Sequence, residues 1–199
     1  MKKNKKYWEE FYSKETIPSN CSNFAKFISS KFNNSLSILD VGCGNGRDTY
    51  YFENLGYDIE GLDLAPVPSF LGQSFTQGDV TQTLPVKDIY YCRFFLHALD
   101  EINLDKFLTN IVKTSPGSIL VAETRSTKGV TGKAKSETFF KSPIGKEHFR
   151  MLYSLEYLFN KLSSNFYVSY IEECNTFSPY KNESPYLIRT ICHAQPSPP

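Results

Sequence analysis

The 199-residue chain lacks several features that would assign a protein class at once. Its five cysteines (Cys21, Cys43, Cys92, Cys174 and Cys192) are odd in number and show no C-x-x-C spacing. That argues against a disulfide framework or a zinc site and points to a reducing compartment, the cytoplasm. No apolar run approaches the roughly 20 residues of a membrane span, and no hydrophobic segment follows the basic start Met1–Lys6 as a signal peptide would require. The 22 basic and 21 acidic side chains leave a net charge of +1, too small for the electrostatic footprint of a nucleic-acid partner. The N-terminal lysines therefore read as a solvated tail. Histidines and carboxylates show no ligand spacing, so no metal is expected. Internal repeats are absent. What the chain does have is 40% hydrophobic residues, 15% of all residues being aromatic, enough for one substantial core at this length.

Hydrophobic spacing predicts an alternating α/β order. Phe24, Ala25, Phe27 and Ile28 share one helical face within 22–32. Leu36–Val41 is an almost unbroken apolar run, as a buried parallel strand requires. A helix over Asp48–Leu55, with Tyr51, Phe52 and Leu55 inward, stops at Gly56, the residue type that favours a helix C′ position. Strands follow at Tyr57–Asp63, Phe75–Asp79 and Ile89–Arg93. About eight residues separate the last two, too few for a helical crossover. Extended, they reach roughly 26 Å, more than the roughly 14 Å of three strand spacings, so an extended coil is expected there. A helix over Leu104–Thr114, a strand over Ser118–Glu123, a helix marked by Leu155, Leu158, Phe159 and Leu162, and strands at Phe166–Glu172 and Tyr186–His193 complete the order. Residues 124–147 have few apolar anchors and read as a mobile acceptor loop. Residues 196–199 read as a disordered tail, 1–35 as an N-terminal helical cap, and 1–195 as one domain. The expected fold is a Rossmann-like, doubly wound, seven-stranded sheet, mostly parallel with an antiparallel last strand.

Function concentrates at the carboxyl ends of the first strands. The run Ile38-Leu39-Asp40-Val41-Gly42-Cys43-Gly44-Asn45-Gly46 drives a strand into a glycine-dense turn, and Asp63 ends the next strand. Glycines let backbone approach a ligand, and a lone carboxylate there suits ribose hydroxyls. A dinucleotide fingerprint would place a third glycine where Arg47 stands. The observed Gly42-x-Gly44-x-Gly46 instead resembles motif I of the class I S-adenosylmethionine-dependent methyltransferases. That resemblance implies S-adenosylmethionine as cofactor. Gly42, Gly44 and Gly46 would line its methionine and ribose portion, Asp63 with Leu64 would meet the ribose, and Asp79 with Val80 the adenine. Asp40 would lie near the methionine ammonium, and Arg93 and Tyr12 would belong to the same site. The segments Trp8-Glu9-Glu10-Phe11-Tyr12, Ser22-Asn23-Phe24-Ala25, Arg93-Phe94-Phe95-Leu96-His97-Ala98-Leu99, His148-Phe149-Arg150 and Glu183-Ser184-Pro185-Tyr186-Leu187-Ile188-Arg189 resemble a narrower bacterial subgroup linked to capsule or O-antigen polysaccharide modification.

The acceptor is then an oxygen on a small or glycan-linked molecule. A hydroxyl acceptor needs a base. Of the three histidines, His97 follows the fourth strand and His148 ends the loop, making them the first and second candidates, while His193 reads as structural. Only five of the 22 basic residues are arginine, so each marks a place that uses a planar bidentate donor. Arg93, Arg125 and Arg150 suit an anionic acceptor such as a phosphate, phosphoramidate or uronate. Arg47 reads as a helix-surface ion pair and Arg189 as a strand-edge residue. Other readings compete with this one. A nicotinamide oxidoreductase is opposed by Arg47, and base methylation by Tyr91-Cys92-Arg93-Phe94 where a proline-rich motif would stand. A catalytically silent cofactor-binding partner, or a methyltransferase acting on protein, stays open.

Overall fold

In a computed structural model, the structure describes residues 20–66, 74–129, 148–179 and 184–195, with the backbone of 137–140. The central sheet has seven strands: β1 (Ile38–Val41), β2 (Ile59–Asp63), β3 (Phe75–Gln77), β4 (Ile89–Arg93), β5 (Ile119–Arg125), β8 (Phe166–Cys174) and β9 (Leu187–Ala194). β6 (Glu137–Phe140) and β7 (His148–Met151) form a separate antiparallel pair. The sheet order is β3-β2-β1-β4-β5-β9-β8. β9 alone runs antiparallel, to β5 on one side and β8 on the other. The doubly wound sheet with an antiparallel last strand is thus observed.

Period-two alternation sorts the strand side chains onto two faces. Ile38, Ile59, Ile89, Tyr91, Val121 and Ile191 pack with Phe24 and Ile28 of α1 (Asn23–Ser29) and Phe52 of α2 (Arg47–Asn54). Leu39, Tyr90, Cys92, Leu120, Ala122 and Ile188 point the other way. They meet Leu104, Phe107, Leu108 and Ile111 of α3 (Glu101–Thr114) and Leu158 and Leu162 of α4 (Leu155–Ser163). Fully burying each such side chain contributes about 1.5–3 kcal/mol. Caps set the helix starts. Ser22, Asp100 and Ser154 accept from the backbone amides of Ala25, Asn103 and Tyr157, satisfying donors that have no partner within the helix.

Three local expectations are corrected. α2 buries Asp48, Thr49 and Phe52, while Leu55 is exposed, because the first two have polar partners inside. α3 begins at Glu101, not Leu104, since Asp100 caps it. The segment 124–147 is not one loop: Thr124 and Arg125 belong to β5, and 137–140 form β6. The link from β3 to β4 carries no helix, as expected. Among the described residues no helix is long and apolar enough to cross a membrane, and all five cysteines are free.

Candidate active site

β1, β2 and β3 align by register, with Asp40 beside Gly61 and Asp63 beside Gln77, so their carboxyl ends meet at one edge. β1 lies between β2 and β4. The chain therefore winds away in opposite directions there, opening the crevice that such sheets use for ligands. Gly42, Gly44 and Gly46 all adopt left-handed backbone, with φ of 73°, 57° and 75°, a conformation costly for any residue with a Cβ. A Cβ on Gly42 would also stand 2.5 Å from the Phe95 ring.

Asp63 braces this turn. One carboxylate oxygen accepts from the Gly44 amide at 3.0 Å and the other from Ala65 at 2.8 Å. Burial raises its carboxyl above the ordinary value, against the pull of these backbone donors. Each oxygen keeps a lone pair for a further donor. Asp40 lies deeper, 4% exposed, and accepts from the Thr49 hydroxyl at 2.6 Å. Burial, and next the neighbouring Asp48 carboxylate, push its pKa up to about 7. Asp79 folds back on its own turn, accepting from the amide and hydroxyl of Thr81, and Val80 beside it is buried. Leu64 is half-buried and its carbonyl accepts from the Gln77 side chain. Tyr12 lies outside the described residues, as does the side chain of His148.

Across the crevice, Arg93 ends β4. Its Nε stands 3.3 Å from a Glu123 oxygen and its guanidinium lies 4.3 Å from the Phe94 ring centre. Phe94 has φ of 55°, the one left-handed non-glycine among the described residues. A bulky side chain there holds about 1–3 kcal/mol of strain, the kind found at ligand sites. Its ring lies 5.7 Å from His97 and 5.9 Å from the Arg125 guanidinium. His97 is 2% exposed; its Nδ1 faces the Thr124 hydroxyl at 3.2 Å and the Arg125 amide at 3.4 Å. Arg125 and Arg150 come together at a cavity of about 310 Å³ that Ser126, Lys128, Leu152 and Tyr186 also line. Arg93 does not line it.

Two polar clusters escaped the sequence reading. Asp48 accepts from the amide and hydroxyl of Ser22 and from the Tyr91 hydroxyl, at 2.8, 2.6 and 2.7 Å. Burial raises its carboxyl, but the guanidiniums of Arg47 and Arg93 and the Ser22 donors outweigh it and hold it below the ordinary value. The other centres on Glu123, fully buried, which pairs with Arg189 at 2.8 Å as well as Arg93. Arg189 is no strand-edge residue: it is 6% exposed, in a strand flanked on both sides, among the rings of Phe24, Phe27 and Phe177. A usable signal was present, since two opposite charges interrupt otherwise apolar strands. Arg47 does form an ion pair, at 3.3 Å, but with the buried Asp48 and not on the helix surface, and His193 meets the Ser169 hydroxyl at 3.0 Å.

The strand order, the glycine turn and the carboxylate ending β2 together define the class I S-adenosylmethionine-dependent methyltransferase fold, and solved structures of that class superpose on the chain. A methyltransferase of Methanosarcina mazei does so with TM-score 0.70 at 15% identity, covering 86% of this chain and 98% of that one. The Burkholderia thailandensis 1,6-didemethyltoxoflavin-N1-methyltransferase, bound to its substrate and S-adenosylhomocysteine, gives 0.68 at 15% identity over 86% and 76%. The glycopeptide N-methyltransferase MtfA with S-adenosylhomocysteine gives 0.66 at 13% over 90% and 92%. The family model of the tellurite resistance protein TehB matches residues 1–81. No curated protein matches the chain significantly.

Proposed function

We propose that the chain is an S-adenosylmethionine-dependent O-methyltransferase, with 1–195 as its single domain and 1–35 as the N-terminal helical cap of that domain. The observation that carries this reading is the left-handed turn at 42–46 braced by Asp63, next to the buried carboxylate of Asp40. A buried carboxylate held by one hydroxyl is costly, and an ammonium is the partner that would relieve it. The residues thus suit the proposed ligand: amide backbone and Asp63 for the ribose, Asp40 for the methionine ammonium, Asp79 and Val80 for the adenine. When bound, S-adenosylmethionine supplies an electrophilic methyl on sulfur, and the C–S bonding pair leaves with the sulfur as the acceptor oxygen bonds to carbon. The protein's own share is alignment and charge placement.

The acceptor side supports a particular oxygen. The Arg125 amide can only donate, so His97 Nδ1 accepts from it and the ring proton sits on Nε2. In that form Nε2 carries the ring proton, so His97 would have to shed it or change tautomer before serving as a base. This favours an acceptor oxygen that is already ionised. The sequence motifs at 8–12, 22–25, 93–99, 148–150 and 183–189 are the support for a surface-glycan component or its small precursor as the acceptor's source.

Calorimetric titration with S-adenosylmethionine and S-adenosylhomocysteine tests the reading. Micromolar affinity, about −8 kcal/mol, is expected. Asp63→Ala should lose about 1.5–3 kcal/mol of it, the worth of hydrogen bonds to a charged group. Wild-type affinity in that variant would show the ribose to be elsewhere.

A further inference from the structure

A row of side chains crosses the sheet where the parallel strands end. Arg93 of β4 stands opposite Glu123 of β5, and Glu123 opposite Arg189 of β9. On the other side of β4, Asp40 of β1 pairs with Tyr91. Continuing that register by two residues brings Gly42, the first glycine of the turn, level with Arg93. The Phe95 ring, which occupies the place a Gly42 Cβ would need, confirms that the end of β4 abuts the turn. Alternation puts Asp40, Tyr91 and Arg93 on the same face of the sheet.

Arg93 is held in place but keeps most of its donors. Its buried Nε approaches Glu123 at 3.3 Å without forming a hydrogen bond, and Glu123 is taken at 2.8 Å by Arg189. The Phe94 ring centre lies 4.3 Å from the guanidinium. The Phe94 amide donates to the Glu123 carbonyl at 2.8 Å, fixing the left-handed backbone that sets the ring there. No described residue accepts a hydrogen bond from Arg93. A guanidinium offers five donors in a planar fork, and with the side chain 18% exposed water satisfies them only in part. The partner that suits such a fork is an anion with two oxygens. Position narrows which anion. Arg93 does not line the cavity at Arg125; its neighbour across the sheet is Asp40. The two are diagonal on adjacent strands, about 8 Å apart at Cα. They are not paired with each other, since Asp40 accepts from Thr49 and Arg93 leans on Glu123. That spacing leaves room between the two heads for an ammonium and a carboxylate borne on one carbon.

Resting on the methyltransferase reading, we propose that Arg93 binds the α-carboxylate of the cofactor's methionine while Asp40 takes its ammonium, the two together recognising a free α-amino acid. Glu123 and Phe94 are then positioning residues that aim the guanidinium. Arg93 belongs to the cofactor, not to the acceptor.

The test titrates three nucleosides into the full chain: S-adenosylhomocysteine, its decarboxylated form, which keeps the amine, and 5′-methylthioadenosine, which has neither group. Wild type should bind S-adenosylhomocysteine at least about tenfold tighter than the decarboxylated form, the worth of hydrogen bonds to a charged group. Arg93→Met should weaken S-adenosylhomocysteine by about tenfold or more and leave the decarboxylated form no weaker. Arg93→Lys, which keeps the charge but loses the fork, should weaken S-adenosylhomocysteine selectively and by less. Asp40→Asn should instead weaken both amines and spare 5′-methylthioadenosine. The proposal is overturned if wild type binds the two amines alike, if folded Arg93→Met loses affinity for both equally, or if it keeps wild-type affinity for S-adenosylhomocysteine. Should Arg93→Met not fold, the same comparison on Arg93→Lys decides. If wild type binds none of the three, the methyltransferase reading itself falls, whereas loss of the carboxylate preference alone leaves that reading standing.

Discussion

Asp40 concentrates the conflict between stability and binding in one side chain. Its unfolded carboxyl titrates near 3.8 and its folded one near 7. Between those values the folded protein holds a proton that the unfolded chain has lost, so stability falls as pH rises through that window and the penalty is complete above about 7. Three pH units correspond to about 4 kcal/mol, an upper figure because water reaching the crevice would reduce it. Asp40→Asn keeps an acceptor for the Thr49 hydroxyl and removes the titration. Urea unfolding should therefore find the variant more stable than wild type at pH 8, with the gap closing by pH 4. If Asp40 meets the methionine ammonium as proposed, the same substitution should also weaken S-adenosylmethionine binding, because the ammonium would lose its counter-charge. A stability difference independent of pH would show that Asp40 is not held as a strained, cofactor-ready group.

At the scale of elements, Asp48 joins α1, α2 and β4 through Ser22 and Tyr91. Its depressed pKa means that this stabilisation is present above about 3.8 and is lost as pH falls through the lower folded value. Asp48→Ala strands one amide, two hydroxyls and the Arg47 guanidinium, and should cost about 3–5 kcal/mol in chemical denaturation. Tyr91→Phe, which removes one hydrogen bond to a charge, should cost only about 1.5–3. Equal losses would mean that the Tyr91 hydroxyl alone carries the network's contribution and that the Ser22 and Arg47 contacts add nothing. Such partnerships mark the limit of what the sequence discloses. Periodicity located β4 at Ile89–Arg93 without error and every other sheet strand to within two residues at either end, because burial on one or both faces writes itself locally. The glycine turn and Asp63 were legible for the same reason: special backbone needs special residues. Ser22, 26 positions from Asp48, carries no local sign of its partner, and the same holds for Glu123 and Arg189, 66 apart. Residues 124–147 misled because a hairpin-like pair that packs outside the main sheet lacks the long apolar pattern that reveals a core strand.

Across the whole molecule, the Glu123 cluster gathers segments from both ends of the described chain. Arg189 of β9 reaches Glu123 of β5, Arg93 of β4 approaches the same carboxylate, Ser178 donates to it at 3.1 Å, and the Arg189 guanidinium sits by the α1 rings of Phe24 and Phe27. β5 and β9 are in register at this point, Glu123 opposite Arg189, so the parallel and antiparallel parts of the sheet are joined through a buried ion pair. A pair of this kind contributes little over an apolar replacement, yet removing one partner leaves a buried charge exposed to the low-dielectric interior. Glu123→Gln should thus destabilise by about 3–5 kcal/mol, whereas Glu123→Gln with Arg189→Met should cost less than the single change. Denaturant midpoints of the two single variants and the double variant measure the coupling. Strict additivity would show that the two side chains act independently. A positive coupling would place the charge pair as the fastener that holds α1 and the segment at 177–178 against the strands carrying Arg93, and through Arg93 and Phe94 against the crevice itself.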